Sequence, residues 1–298
     1  MRPATLTLAT LLAYTAAVPA AHAQSMPTLD KVKSSGSITL AYREASIPFS
    51  YLDEKAQPTG FGWEICGKVV DEVRRVTGRA DLKVQTQAVT SANRIPLLQN
   101  GTIDIECGST TNNADRQKQV AFATNYFYTG TRFLVKAGAP VKGLDDLRGR
   151  TIVSTTGTTN FKILRTLNEE RKLGMDLLGA KDHAESALMV ESGRAVAFGM
   201  DDILLYGLRA SSQNPAALAV VGEPIQVEPY AIMLRKDDPA FKKLVDDTLA
   251  GLMRSGEFAR VYAKWFMAPI PPKGINLNAP MSKELQDNLR NLSDRPAT

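Results

Sequence analysis

Several arginines and one helix start are the features of this 298-residue chain that could bind a charged ligand. Arg43 ends the first predicted strand, and Arg94 lies near the start of a predicted helix, where a positive charge is unfavourable. A planar guanidinium matches the two oxygens of a carboxylate. Gly157-Thr158-Thr159 opens another predicted helix, whose free N–H groups favour an anion. The pattern indicates anion binding, although surface arginines and an ordinary helix cap remain the alternatives.

Residues that could form a nucleophilic or metal centre are scarce. Asp182, His183 and Ser186 resemble a triad in composition, but they lie within five residues, too close for a line of three hydrogen bonds. A zinc site needs three or four ligands, and His183 with two cysteines offers no such set. We therefore expect no catalytic centre, no metal and no cofactor.

The first 23 residues have the features of a signal peptide. They carry Arg2, an apolar stretch from Leu6 to Ala20 and the small-x-small end Ala21-His22-Ala23, which predicts cleavage before Gln24. The apolar stretch is too interrupted for a membrane span, and no cysteine near the cleavage point could carry a lipid. We expect a free periplasmic protein.

The charge balance says little about partners. The chain has a net charge of +5, and removing Arg2 with the signal peptide leaves 35 basic against 31 acidic residues. Nucleic-acid-binding proteins show clustered basic stripes, whereas here acids and bases alternate along the predicted helices. We expect a solvated surface and no nucleic-acid partner.

Cys66 and Cys107 are expected to form a disulfide, because an exported chain meets an oxidising compartment. The bond would join a predicted helix to a strand across a loop of about 40 residues and add about 3 to 4 kcal/mol. Two buried free thiols are the alternative.

The hydrophobic periodicity predicts alternating strands and helices. Before residue 120 the predicted strands are 37–42, 83–89 and 102–107, with helices from 62 to 76 and from Asn93 to Gly101. An extended crossing strand is expected at 126–136, then a second set with strands 151–155, 176–180, 195–200 and 217–221 and helices 144–149, 159–173, 186–191 and 202–209. A second crossing near 222–231, a strand 230–235, an amphipathic region 239–266 and a polar helix 282–292 complete the chain.

This order predicts an α/β protein with two lobes joined by two hinge-crossing strands, a hinged clamshell. Residues 24–128 and 227–298 would form lobe 1, and residues 129–226 would form lobe 2. A ligand would lie in the crevice at the carboxyl ends of the strands, and closure would shield it from water.

Eight stretches spread over the mature chain match a known pattern: REASIPFSY from Arg43, TSANRIPLLQNG from Thr90, ECGSTTNN from Glu106, AKDH from Ala180, ESGRAVAF from Glu191, MLRKDD from Met233, KWF from Lys264 and PIPPK from Pro269. Through them nearly the whole mature chain resembles the glutamate/aspartate-binding proteins of ABC importers, members of solute-binding protein family 3. The resemblance implies the two-lobed clamshell of the type II periplasmic binding proteins.

The resemblance implies a role for each polar group of the site. Arg116 would form a two-pronged pair with the ligand's α-carboxylate, aided by Thr111 and by the helix start at Thr158 and Thr159. Asp201 would bind the ammonium with help from Ser109, with Asp202 as the rival carboxylate and a helix N-cap as the structural alternative for Asp201.

Arg43 and Arg94 are expected to bind the side-chain carboxylate, with Ser91 and His183 as further donors. Three arginines against one carboxylate would leave a surplus of two positive charges. That surplus would disfavour neutral and basic amino acids by about 2 to 5 kcal/mol, because unpaired buried arginines are costly.

The expected activity is therefore capture of L-glutamate or L-aspartate and delivery to the membrane permease of an ABC importer, by a monomer that catalyses nothing. Two alternatives stay open. One is an enzyme of the cyclohexadienyl dehydratase type, which needs a general acid that the sequence does not offer. The other is a ligand-presenting sensor protein, which would be expected to carry a following membrane helix.

Overall fold

A computed structural model describes residues 26–297. The predicted signal peptide, residues 1–23, and the cleavage point before Gln24 lie outside the described residues. The α-helices are α1 (Thr28–Ser35), α2 (Phe61–Thr77), α3 (Arg94–Gln99), α4 (Ala114–Gln117), α5 (Thr159–Glu170), α6 (His183–Glu191), α7 (Asp202–Ser211), α8 (Pro239–Ser255), α9 (Glu257–Phe266) and α10 (Lys283–Asn291). Short 3-10 helices occupy Leu144–Leu147 and Pro215–Ala217.

The strands are β1 (Ser37–Tyr42), β2 (Ala45–Ser46), β3 (Ser50–Leu52), β4 (Pro58–Thr59), β5 (Lys83–Ala88), β6 (Ile105–Glu106), β7 (Ala121–Lys136), β8 (Thr151–Thr155), β9 (Asp176–Ala180), β10 (Ala197–Asp201), β11 (Leu218–Val221) and β12 (Val227–Leu234). Within the described range, nine of them form one mixed sheet in the order β5-β1-β6-β12-β7-β10-β8-β9, with β11 also paired to β7. We call the section from β5 to β12 the first lobe and the section from β10 to β9, with β11, the second lobe.

Strand β7 is shared by both lobes. Its first half pairs with β12, from Ala121 opposite Leu234 to Gly130 opposite Val227. Its second half pairs with β10 and β11, beginning at Thr131 opposite Asp201. The chain therefore passes between the lobes along β7 and returns along the antiparallel β12.

Several elements differ from the sequence prediction: α1, α4 and the short strands β2, β3 and β4 were not predicted, and the clearest differences in extent are two. The first crossing strand begins at Ala121 rather than Tyr126, because its early residues pair with β12 inside the first lobe. The amphipathic region 239–266 is two helices, since Gly256 adopts φ +78° between them. The predicted start of α8 is confirmed, with the Asp238 side chain accepting from the Phe241 N–H.

The core of the first lobe fixes the helix and the strand next to the crevice. Helix α2 buries Ile65, Val69 and Val73 against the sheet, and the Cys66–Cys107 disulfide joins it to the residue after β6, with 5.9 Å between the Cα atoms. The predicted disulfide is confirmed. It holds the start of the polar loop that follows Cys107 in place.

Of the helices in residues 26–297, none combines the length and the hydrophobicity that a membrane-spanning helix requires.

Candidate functional site

The two lobes touch across the crevice beside the crossing strands. Arg116 donates from Nη2 to the Gly157 carbonyl of the second lobe over 3.1 Å, and the Thr111 and Thr159 hydroxyl oxygens lie 3.2 Å apart. Gly157 has φ +78° and lies so near Ala92 that an added Cβ would come within 2.5 Å of its Cα. Only glycine fits this close approach without strain, so the crevice is closed.

The structure brings the predicted site residues together in this closed crevice. The side chains of nearly all of them are buried: Arg43, Ser91, Arg94, Ser109, Thr111, Arg116, Thr158, His183 and Asp201, while Thr159 is half-buried. They come from the ends of β1 and β10, from the starts of α3, α4, α5 and α6, and from the loop after β6. Both lobes therefore supply polar groups to the same volume.

Arg43 and Arg94 are deeply buried cations, each 2% exposed. Burial, with the neighbouring Arg94 charge, lowers the pKa of Arg43 to about 9, and burial also lowers the pKa of Arg94. Arg43 Nη1 and Arg94 Nε and Nη1 have no hydrogen-bond partner among residues 26–297. Such buried unpartnered donors are costly, so this pair is built to receive an acceptor-rich group.

Two hydroxyl groups of the predicted site residues are also buried without a partner among residues 26–297. Ser91 Oγ and Ser109 Oγ are buried and likewise have no partner in the described part of the chain. Ser91 lies just before α3, and Ser109 lies in the loop after β6. The unpartnered donors of the predicted site therefore belong to several elements.

His183 contacts Arg43 and does not point freely into the crevice. Its Nε2 lies 3.3 Å from Arg43 Nη2, and its Nδ1 lies 2.8 Å from Thr155 Oγ1. A guanidinium can only donate, so Nε2 is the acceptor and the neutral ring carries its proton on Nδ1. Burial, then the charges of Arg43 and Arg94, lower the pKa of His183 well below its usual value and keep the ring neutral. In this arrangement His183 orients Arg43, whereas the sequence predicted a donor to the ligand.

The residues around His183 do not form a triad. Thr155 lies between the His183 ring and Ser186, whose hydroxyl donates to the Asp182 carbonyl. The Asp182 carboxylate accepts from the Glu185 N–H as the N-cap of α6. Among residues 26–297 the imidazole bonds Arg43 and Thr155 and no carboxylate, and it makes no hydrogen bond with Ser186.

Arg116 forms the other end of the site. Its Nη1 donates to the Thr111 carbonyl over 2.9 Å, and the Nη2 bond to Gly157 ties it to the second lobe. Burial and the Arg94 charge lower its pKa to about 9, which leaves it cationic at neutral pH. Because a guanidinium has five donors, the two carbonyls leave others for an anion. Thr158, in contrast, uses its hydroxyl as the N-cap of α5.

Asp201 and Asp202 have separate environments. Asp201 is buried, accepts from Asn160 over 2.7 Å and from the Tyr230 hydroxyl, and makes no helix-cap bond with its side chain. Asp202 is partly exposed and accepts from Thr129 over 2.6 Å. Burial and the nearby Glu228 raise the pKa of Asp201. Of the two aspartates, Asp201 is therefore the buried one.

Two buried glutamates were missed by the sequence reasoning. Glu106 lies 4.0 Å from Arg94, with its Oε1 unpartnered among the described residues, and Glu228 accepts from Thr159 over 2.9 Å. The count of three arginines against one carboxyl group was incomplete, because the site holds three buried carboxyl groups, Glu106, Asp201 and Glu228. A glutamate inside the short apolar run before Cys107 was the available signal for Glu106.

Metal ligands are not grouped in this region. Within the part of the chain that the structure describes, no cluster of three or more histidine, cysteine or carboxylate side chains could hold a metal ion.

Comparison with known proteins identifies the family. The model of the bacterial extracellular solute-binding proteins, family 3, matches residues 38–268. The chain is 51% identical over 271 residues to the L-glutamate/L-aspartate-binding protein of Pseudomonas aeruginosa, covering 91% of this chain and 90% of that protein. It is 47% identical over 268 residues to the glutamate/aspartate import solute-binding protein of Escherichia coli, covering 90% and 89% of the two chains.

The fold has solved relatives. A mutant of the arginine-binding protein ArgBP from T. maritima superposes with a TM-score of 0.72 at 24% identity, over 80% of this chain and 98% of that one. The predicted two-lobed type II clamshell is confirmed by this likeness. With the family model spanning most of the described residues, the chain belongs to the bacterial extracellular solute-binding proteins, family 3.

Proposed function

We propose that this protein captures L-glutamate or L-aspartate in the crevice between its lobes and releases it unchanged. The observation that carries the proposal is the group of buried unpartnered donors, Arg43 Nη1, Ser91 Oγ, and Arg94 Nε and Nη1. A second carboxylate on an amino acid offers four lone-pair sites to such donors. A neutral or basic side chain would leave buried arginines unpaired, which is costly.

The ligand's three charged groups have matching partners. Arg116, Thr111 and the start of α5 at Thr159 would hold the α-carboxylate, since guanidinium and helix N-H groups both favour an anion. Asp201, with Ser109 nearby, would hold the ammonium. The closed crevice would then place both groups in a low dielectric, where ion pairs are strong.

The side-chain carboxylate would lie between Arg43 and Arg94, with Ser91 as a third donor. His183 would keep Arg43 aimed at the ligand through the 3.3 Å contact with Nη2. Glu106, 4.0 Å from Arg94, would balance part of the charge before the ligand arrives. With three arginines and three buried carboxyl groups, Glu106, Asp201 and Glu228, the closed site carries less than the predicted surplus of two positive charges, so the ligand is selected by geometry as well as by net charge.

The names of the two curated relatives support this ligand class and a role in import. We infer delivery to the membrane permease of an ABC importer, action as a monomer, and maturation by cleavage before Gln24 into the periplasm. Membership of a family of extracellular proteins supports the export step.

We further propose that closure bends the chain at 128/129 and 226/227. Lobe 1 would comprise residues 24–128 and 227–298, and lobe 2 residues 129–226. Strand β7 changes partner just after this point, from Val227 opposite Gly130 to β10 opposite Thr131. A bend at the point where a strand changes its pairing partner breaks few hydrogen bonds between strands, as a hinge requires.

The test is calorimetric titration of the purified protein with L-glutamate, L-aspartate, L-glutamine and L-arginine, after removal of carried-over ligand. We expect one-to-one binding of the two acidic amino acids, weak or no binding of the others, and recovery of unchanged ligand by mass spectrometry. Tighter binding of glutamine or arginine would refute the ligand class, and a converted product would show an enzyme.

A further inference from the structure

The C-terminal segment 293–297 lies outside the family match, which ends at residue 268, yet it pairs with the loop that supports Arg116. Ala297 donates its N–H to the Asn112 carbonyl over 2.8 Å and forms a parallel bridge with Asn113. We call residues Ser293 to Ala297 the tail. It adds an edge to a loop of the binding site.

The supported loop, Thr110 to Asn113, is held from two sides. On one side β12 pairs with it, because Asn112 donates to the Pro229 carbonyl and Thr111 bridges Tyr230. On the other side is the tail. A loop held on one side only would have more conformational freedom to lose on binding, so the tail completes its fixation.

A cluster of three buried asparagines ties the tail to the crossing strand as well. Asn112 Nδ2 donates to the Asp294 carbonyl over 2.8 Å and to Asn125 Oδ1 over 2.9 Å. Asn125, in β7 where its pairing with β12 is irregular, donates from its backbone to Ser293 and from its side chain to Arg295. Asn288 donates to the Asn125 carbonyl over 2.7 Å. The tail thus connects the hinge strand to the loop.

The loop leads directly to the guanidinium proposed for the α-carboxylate. Asn113 caps α4 by accepting from the Arg116 N–H over 2.9 Å, and Arg116 Nη1 is held by the Thr111 carbonyl over 2.9 Å. Displacement of residues 111–113 would therefore displace both the backbone and the side chain of Arg116.

We propose that the tail is a positioning element for the α-carboxylate half of the site, an inference that rests on the proposed function. It predicts a loss of affinity confined to ligands that present an α-carboxylate. The pairing lies at the Arg116 end of the crevice, so recognition of the side-chain carboxylate by Arg43 and Arg94 should persist.

The experiment compares the full chain with a variant that ends at Leu292. We expect the dissociation constant for L-glutamate to rise about tenfold, the size expected when hydrogen bonds that fix a binding loop are lost. The preference for glutamate over its α-amide, which lacks the α-carboxylate, should decrease. The preference for glutamate over glutamine, which lacks the side-chain carboxylate, should remain unchanged. Asp294→Ala is the matched control, because it removes only the ion pair with Lys242 and keeps the tail carbonyls.

Two substitutions at Ala297 test the same contact if the shortened chain does not fold. Ala297→Pro removes the N–H that bonds Asn112, and Ala297→Ser keeps it; we expect about a threefold weaker affinity for the first alone. Unchanged affinity in the folded variants, or an equal loss for glutamate and its α-amide, would overturn the tail's role. Failure of the full chain to bind acidic amino acids would instead refute the proposed function.

Discussion

Replacing Arg94 by methionine tests the proposed recognition of the side-chain carboxylate. The residue is 2% exposed, and its Nε and Nη1 have no partner in the described range, so two charge-assisted hydrogen bonds are available to the ligand. Each such bond contributes about 1.5 kcal/mol or more. Their loss should weaken L-glutamate binding by about 3 kcal/mol, or about 150-fold.

Glutamine supplies the internal comparison, because its neutral amide gains less from a guanidinium. We expect Arg94→Met to weaken glutamine binding only about fivefold, so the preference for glutamate over glutamine should collapse. Adding Glu106→Gln should recover part of the affinity, since Glu106 would otherwise be a buried carboxylate 4.0 Å from the lost charge.

The measurement is competition against radiolabelled L-glutamate, with thermal unfolding recorded for each variant. Arg75→Met is the control, because Arg75 is an exposed arginine that pairs with Glu72 on α2; its affinity should stay within about twofold of the parent protein. An equal loss for glutamate and glutamine in a folded Arg94→Met protein would refute the assignment.

Three further predictions concern other parts of the protein. Burial raises the pKa of Asp201 to about 8. Because this exceeds its usual value, the protonated carboxyl stabilises the unliganded fold at low pH, and that contribution is lost as pH rises through about 8. The ligand's ammonium pairs only with the ionised carboxylate, so binding at pH 7 should release close to one proton. Calorimetric titration in buffers of different ionisation enthalpy measures this release. No proton release, or the same release in Asp201→Asn, would contradict the prediction. Gly157→Ala should weaken ligand affinity about tenfold or more, because the added methyl group opposes closure of the crevice. Small-angle scattering with saturating ligand should then give a larger radius of gyration than for the parent protein. An unchanged radius of gyration and affinity would contradict the role of Gly157 in closure. Replacing Cys66 and Cys107 by serine should lower the free energy of unfolding by about 4 kcal/mol for the 41-residue separation while changing affinity little; equal denaturant midpoints would refute the contribution.

The element order could be read from sequence because periodicity and terminal residues are local signals. Asp238 and Pro239 predicted the start of α8, and the structure has the cap that they imply. The break at Gly256 and the early start of β7 were not predicted. The first depends on one glycine conformation inside a continuous amphipathic pattern, and the second on pairing with a strand about a hundred residues later.

The type and order of residues determined by themselves that this chain is an α/β clamshell with arginines suited to an anion, since strand and helix patterns and guanidinium chemistry are properties of short segments. Tertiary structure decided which groups meet. It placed the neutral His183 ring against Arg43, separated Asp201 from Asp202, brought Glu106 and Glu228 into the charge balance, and joined residues 293–297 to the Arg116 loop. These outcomes depend on burial and on contacts between distant segments, because the cost of desolvating a charge is set by the whole fold that surrounds it.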